Sequence, residues 1–519
     1  MERFIFQINK YKKLVVIAGF FVFLFTGLNI YKDYGVGWDE EYSRTLTGKV
    51  VYDFIANGDA APYLANTERY HGPLFETILY TAERISGYTD TQQIYYLRHL
   101  LTFLLFYVAA ICFYFLLQRL FKNTWLSLLG VGMLIISPRI FADIFYNTKD
   151  IAFLSFYIFA SLSFYFIIKK RTLLYILLHA LLCAWAIDVR ITAIIIPMLT
   201  VAVMLWQDLM IDKEKNYKKL FSQISVFSLA TYILMVVFWP VMWLNPVEHF
   251  ARAFLQMSRY GWNEPVLFMG KTFTGQTLPR YYALVWIAIT IPITILLLSI
   301  AGLVLTVIQI VKCRLRFSDQ QLQIFSQALL FIAPVSAVVI LHSTIYDGWR
   351  HLYFTYPAFI IVAIYVLNYT YTKFQNRIFI TILSLSIVIN LLWCMHFIYT
   401  NHPHEMVYFN RIAGTNAGEV GFNYEQDYWG LSYRNGLEHV AQIDSNNQTI
   451  VQVSNFAGMA NWFILDSVSR QKIIVTEADS NADYFISNYR FANKEYNIGK
   501  EVYNVYSDGC KILTVRKMK

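Results

Sequence analysis

The sequence predicts a mainly α fold: a polytopic membrane helix bundle of about eleven spans, carrying a small C-terminal α/β domain on its outer side. Three observations predict it. Of 519 residues, 57% are hydrophobic and only 15% charged, against about 25% charged in a typical soluble domain. Apolar runs of roughly 17 to 25 residues recur along the first three quarters of the chain, each long enough to cross a bilayer as a helix. Lys and Arg collect in the short connections between these runs, as the cytoplasmic loops of membrane proteins do.

Spans are expected near 14–31, 97–117, 125–141, 151–168, 173–187, 190–206, 221–243, 282–310, 324–342, 351–369 and 378–397. The basic clusters are Lys10/Lys12/Lys13, Arg119/Lys122, Lys169/Lys170/Arg171, Lys213/Lys215/Lys218/Lys219, Lys312/Arg314/Arg316 and Lys373/Arg377. Starting inside, eleven crossings put every cluster on the cytoplasmic side. This requires 173–206 to cross twice, turning at Asp188-Val189-Arg190. The first apolar run is longer than a signal-peptide core and has no small-x-small cleavage site after it. It reads as an uncleaved anchor with the N-terminus cytoplasmic, in a multi-pass protein of the cell inner (cytoplasmic) membrane.

The net charge of +9 follows from the loops, and with no stacking platform beside them it is not a nucleic-acid footprint. Cys112, Cys183, Cys313, Cys394 and Cys510 stand singly, so neither a zinc site nor a disulfide framework is indicated.

Three segments face outward: about 32–96, about 244–281, and everything after 398. Within the first, residues 74–84 have amphipathic helical spacing after Pro73, as a helix lying on the membrane surface has or as an ordinary soluble loop helix has. Trp125, Trp206, Trp239 and Trp243 fall near span ends, where interfacial aromatics belong. The transmembrane domain is thus expected over 1–397 and an extracytoplasmic α/β domain over 398–519. The latter shows strand-like runs at 449–453, 473–476, 484–487, 502–506 and 511–515, and a helix at about 430–443.

Four polar clusters fall at outer span ends: Asp39/Glu40/Glu41, Asn147-Thr148-Lys149-Asp150, Asp188/Arg190, and Tyr346-Asp347-Gly348-Trp349-Arg350-His351. Ionisable groups beside hydrocarbon are expensive to place, which makes them functional candidates. Each has a plain reading too: a solvated loop start for Asp39 and its neighbours, a helix-capping pair for Lys149/Asp150, a headgroup anchor for Arg350/His351, and a structural pair closing a tight turn for Asp188/Arg190. Their common side favours function. Asp39 is the expected catalytic base, Glu40 its support in substrate binding, and Glu41 a solvated neighbour. Asp150 can bind substrate or serve as a metal ligand for a divalent cation, Mg or Mn. Lys149, Arg350 and His351 can neutralise a phosphate, Arg in bidentate fashion. A base and a phosphate clamp on one face suit inverting glycosyl transfer from a lipid-linked phosphosugar. The alternative, a secondary transporter, calls for ionisable groups at the membrane midplane in repeated halves, and no repeat is visible.

Gly37-Trp38-Asp39-Glu40, Tyr70-His71-Gly72-Pro73-Leu74, Ser137-Pro138-Arg139, Asn147-Thr148-Lys149-Asp150, Tyr346-Asp347-Gly348-Trp349-Arg350-His351, His402-Pro403-His404-Glu405 and Asp427-Tyr428-Trp429-Gly430 follow one another along the chain. In that order it resembles the C-type, polyprenyl-phosphate-dependent membrane glycosyltransferases, the group that holds protein O-mannosyltransferases and the lipid A aminoarabinose transferase. The resemblance implies a hexosyl- or pentosyltransferase. Its partners would be a polyprenyl-phosphate-linked sugar donor, a glycan, lipid or protein acceptor, and membrane lipids, with no nucleic acid. It implies Asp39 as the base, Asp150 near the sugar or metal, and Arg350 with His351 facing the donor phosphate. Asp427-Tyr428-Trp429-Gly430 would serve in docking the acceptor or as a structural corner. The C-terminal part does not resemble the sugar-binding trefoil module of eukaryotic O-mannosyltransferases, which counts against a protein acceptor.

Overall fold

The structure, a computed structural model, describes residues 11–211, 216–258, 261–314, 317–446, 448–478, 481–491 and 495–518. Lys10, Lys213, Lys215 and Arg316 lie outside the described residues. Among the described residues nine helices are long and apolar enough to cross a membrane: Lys12–Ile30, Thr91–Phe121, Asp150–Lys169, Ile191–Met210, Tyr217–Phe238, Ile293–Cys313, Asp319–Leu341, Arg350–Lys373 and Arg377–Asn401. The protein is a multi-span membrane protein.

Two expected spans are broken, and proline explains both. Thr124–Ile135 and Pro138–Tyr146 meet at 68° and would make a tenth span if taken together. A residue before proline is driven to extended backbone, and Ser137 adopts φ −72°, ψ 112°. Pro138 then opens the next helix from its first turn, where its missing amide costs nothing. The expected span at 282–310 likewise divides into Tyr282–Thr290 and Ile293–Cys313, with Ile291 extended before Pro292. Leu173–Val189, expected as a span, is a shorter apolar helix.

Burial separates the centre of the bundle from its rim. In Asp150–Lys169 and Arg350–Lys373, 78% of the apolar window is buried, against 11% in Arg377–Asn401. The two central helices begin at Asp150 and Arg350, so the best-packed part of the bundle positions both side chains. Hydrocarbon tails supply no hydrophobic drive between helices, so close packing has to hold them together. Gly302 shows this: a Cβ there would stand 2.0 Å from the Val362 carbonyl oxygen of the neighbouring central helix.

The helix Leu74–Ser86, expected on the membrane surface or as a soluble loop helix, packs its apolar face on protein. It buries Leu74, Phe75, Leu79 and Tyr80 together with Glu76 and Glu83, while Ile78 and Ile85 are exposed. Its acids face protein because Arg98 on Thr91–Phe121 meets both. Trp239 is fully buried and is not an interfacial anchor.

Outside the helices, β1 (Pro265–Phe268) and β2 (Lys271–Thr274) form a hairpin in the segment 244–281. The C-terminal part builds a five-stranded sheet from β3 (Thr449–Val453), β4 (Ile473–Thr476), β5 (Tyr484–Ser487), β6 (Lys500–Ser507) and β7 (Cys510–Lys517), in the order β4-β3-β5-β7-β6. Strand β3 runs parallel to β4 and β5, and β7 antiparallel to β5 and β6. The helix at 430–443 is realised as Tyr433–Ile443, with Gly436 against Leu513 and Ile486 of the sheet. This part is tied to the first outer segment: Asn461 bonds both the amide and the carbonyl of Val36, at 3.0 and 2.9 Å, and the Trp38 amide donates to the Trp429 carbonyl at 3.1 Å.

Candidate active site

The short helix Trp38–Tyr42 carries three acids in its first turn, where the helix dipole favours negative charge. The turn sends them in different directions. Glu40 is 2% exposed, 3.4 Å from Arg98 and 3.2 Å from His99. Glu41 accepts from the Tyr95 hydroxyl and lies 3.5 Å from Arg44. Both are buried, which corrects the expectations of Glu40 as a substrate-binding residue and of Glu41 as solvated. They anchor the helix, and Asp39 is left facing the opposite way.

That anchor extends to the second acid-bearing segment. Arg98 is fully buried and also meets Glu76 at 2.7 Å and Glu83 at 2.9 Å. Glu76 in turn accepts from the Thr148 hydroxyl. One buried charge network therefore fixes both the Asp39 helix and the Asn147–Asp150 turn. Breaking a buried pair by removing one partner costs about 3–5 kcal/mol, so the register of the two segments is strongly held.

Asp150 begins its helix with its amide donating to Asn147 Oδ1 at 2.8 Å. Its carboxylate accepts from Arg190 and, at 3.2 Å, from Arg350. The expected Asp188–Arg190 pair does not form. Arg190 reaches Asp150 instead, and both carboxyl oxygens of Asp188 are buried with no hydrogen-bond partner. The Asp188 carbonyl explains Gly72 of the first outer segment, since a Cβ there would stand 1.7 Å from that oxygen.

Arg350 is the hub. It is 2% exposed and donates to Asp39 at 2.9 Å, to Asp150 at 3.2 Å and to Asp347 at 3.1 Å. Asp347 takes left-handed backbone, φ 55°, followed by Gly348 at 73°, a conformation Asp tolerates better than most residues. The kink sets the Asp347 carboxylate between Arg350 and Arg490, which lies 2.9 Å away. The indole of Trp429 closes the other side, 4.6 Å from the Arg350 guanidinium. Asp427 shapes that corner by accepting from the amides of Gly430, Leu431 and Ser432 and from the Ser432 hydroxyl, which fits the structural-corner reading.

Of the three acids around Arg350, Asp39 has a side chain 27% exposed, against 1% for Asp150 and 5% for Asp347. Burial alone would raise its pKa, but Arg350 and Lys149, with Arg490 further off, hold the carboxyl down at about 2. Lys149 is partly exposed and forms no ion pair among the described residues. His351, partly buried, sets its ring edge-on to Tyr346 at 4.8 Å, and its Nδ1 has no hydrogen-bond partner. The expected free clamp at Arg350 is thus occupied by carboxylates, and Lys149 is the uncommitted cation beside Asp39.

The site does not fit a divalent cation at Asp150. Its carboxylate is shared among Arg190, Arg350 and Asn147, and the Arg350 guanidinium stands between it and Asp39. Among the described residues no group of three or more His, Cys, Asp or Glu side chains could hold a metal ion.

Sequence reasoning overlooked Arg490, Arg98, Glu76 and Glu83. Arg490 follows β5 with no local motif to mark it. The spacing of Glu76 and Glu83, two turns apart on one helix, was the available signal for a buried acidic face.

The fold that gathers these acids on one arginine is shared with solved membrane proteins. Residues 71–244 match the family model described as dolichyl-phosphate-mannose-protein mannosyltransferase. The chain is similar to ArnT from Cupriavidus metallidurans bound to undecaprenyl phosphate, at 12% identity and a TM-score of 0.50, covering 97% of each chain. It is similar to the apo state of the same protein at 10% identity and a TM-score of 0.51, covering 96% of this chain and 98% of that one. The apo oligosaccharyltransferase of Archaeoglobus fulgidus matches at 10% identity and a TM-score of 0.50 over 86% of this chain, which spans 61% of that protein's length. No curated protein sequence matches it.

Proposed function

We propose that the protein is an inverting glycosyltransferase. It moves a hexosyl or pentosyl group from a polyprenyl phosphate donor to an acceptor hydroxyl at the outer face of the cytoplasmic membrane, with the C-terminal part extracytoplasmic. The observation that carries this is the partly exposed Asp39 carboxylate within the field of Lys149, which forms no ion pair among the described residues, with two buried acids and Arg350 behind it. The family match and the fold shared with a protein solved with undecaprenyl phosphate support the donor class.

The acceptor hydroxyl gives its proton to an Asp39 oxygen as its own oxygen bonds the anomeric carbon. The bond from that carbon to the phosphate oxygen breaks on the opposite face, its electron pair leaving with the polyprenyl phosphate, so the anomeric centre inverts. Lys149 meets the leaving phosphate. A carboxyl held at about 2 is ionised at any physiological pH but is a weak base. Attack on an oxocarbenium-like carbon tolerates a weak base because the proton becomes acidic only as the new bond forms. Charge developing on the phosphate also offsets Lys149 and Arg350, and a nearby like charge raises a carboxylate's proton affinity. The base therefore strengthens as the leaving group departs.

Mass spectrometry of envelope glycans and polyprenyl-linked sugars, with and without the protein, tests the assignment. Loss of one sugar from one acceptor with accumulation of its polyprenyl phosphate form is expected. Unchanged profiles of both would refute it.

A further inference from the structure

The β1–β2 hairpin, the helix Ala417–Asn423 and the outer sheet enclose a cavity of about 260 Å³. The donor chemistry above does not use it. Arg490 lines it, with its guanidinium 4.5 Å over the Trp38 ring and 2.9 Å from Asp347. The cavity thus ends one side chain from the helix that carries Asp39. The hairpin wall is fixed, since the Gly270 amide donates to the Asn423 carbonyl at 3.2 Å and Phe268 bridges Tyr424.

The lining says what fits. Glu425 is 7% exposed, and one of its carboxyl oxygens has no hydrogen-bond partner among the described residues. A buried polar group left unpaired costs about 1–3 kcal/mol, which a ligand donor or acceptor would relieve. Burial, with Asp347 nearby, pushes this carboxyl up to about 8, so near neutral pH it can both donate and accept. Tyr424 and Tyr428 supply aromatic surface.

Among the described residues the cations that line the cavity are already spent: Arg490 on Asp347, and Lys511 on Glu495 at 2.7 Å and Glu501 at 3.1 Å. A phosphate or carboxylate would find no free positive charge among the described lining residues. An acyl chain would leave Glu425 unsatisfied. A hydroxyl-edged ring with C–H faces satisfies both the carboxyl and the aromatic walls.

We propose that this cavity holds a neutral sugar ring of the acceptor, next to the ring whose hydroxyl reaches Asp39, so that the product is a sugar-to-sugar linkage. The inference rests on the glycosyl-transfer reading above.

Linkage analysis of the product made by the wild-type protein is the first arm. Attachment to a neutral sugar is expected; attachment to a peptide side chain or to a phosphorylated lipid headgroup overturns the proposal. The second arm fills the cavity from two walls with Gly421→Trp, whose Cβ would meet only Cys510 Sγ at 3.7 Å, and with Thr272→Trp at an exposed hairpin position. Each should cut transfer at least tenfold while the polyprenyl-linked donor accumulates and the protein stays at normal level in the membrane. Full transfer by an inserted variant, with Asp39→Asn inactive, overturns the cavity proposal and leaves the glycosyl-transfer reading standing. Glycan and donor profiles that do not change when the protein itself is removed overturn both.

Discussion

Arg350 donates to Asp39 across 2.9 Å, joining two residues 311 positions apart in the chain. The contact brings the short helix Trp38–Tyr42 and the start of a central helix together at one charge. The same guanidinium serves Asp150 and Asp347; removing it leaves Asp39 without its ion pair and takes one partner from each of the others, Asp150 keeping Arg190 and Asp347 keeping Arg490.

Arg350→Ala is therefore expected to destabilise the protein by about 3–5 kcal/mol, the cost of uncompensated buried charge, and to abolish transfer. Arg350→Lys should recover part of the stability and little of the activity, because an ammonium cannot span the acids as the planar fork does. Thermal unfolding in detergent, alongside glycan analysis, checks this. Alanine and wild type unfolding together would contradict the hub.

Lys149 makes the opposite prediction. It forms no ion pair among the described residues, so Lys149→Met should leave the unfolding midpoint within about 2 °C, consistent with a change of under about 0.5 kcal/mol at a site without buried partners. Transfer should nevertheless fall by at least tenfold, about 1.4 kcal/mol of transition-state stabilisation. Donor titration with isolated membranes containing each protein would show whether the loss lies in donor use. A large stability loss with normal donor use would remove Lys149 from the phosphate's path.

How much of this was legible beforehand depends on range. The strands of the C-terminal sheet and most spans follow from local periodicity and composition, and they fall at the chain positions the sequence predicts. The breaks at Pro138 and Pro292 were written in the sequence too, but a hydropathy reading averages across them. Asp39, Asp150 and Arg350 were visible as polar residues at span ends, and the bundle brings them within hydrogen-bond distance. What sequence could not show is which partner each charge takes. Arg190 faces Asp150 rather than Asp188, Arg350 spends its donors on carboxylates, and Glu40 turns inward to Arg98. Such choices are set by packing between segments hundreds of residues apart, on which local spacing is silent.

Acid stability should carry the signature of Asp39. Its carboxyl is held at about 2 in the folded protein, below the ordinary value of 3.8. The stability it contributes is complete above the unfolded-state value and is lost as pH falls from there through about 2. Between pH 5 and pH 2 the unfolding midpoint of the wild type in detergent should fall more steeply than that of Asp39→Asn. Parallel slopes would show that Arg350 and Lys149 do not act on this carboxyl.

The central claim is that Asp39 takes the acceptor's proton, and the amide that most closely keeps its shape tests it. Envelope glycans and polyprenyl-linked sugars should be measured in cells whose only copy of the protein is Asp39→Asn, with its membrane level matched to wild type. The account predicts at least a thousandfold loss of the transferred sugar together with accumulation of the polyprenyl phosphate donor. A wild-type glycan profile from the inserted variant would contradict it.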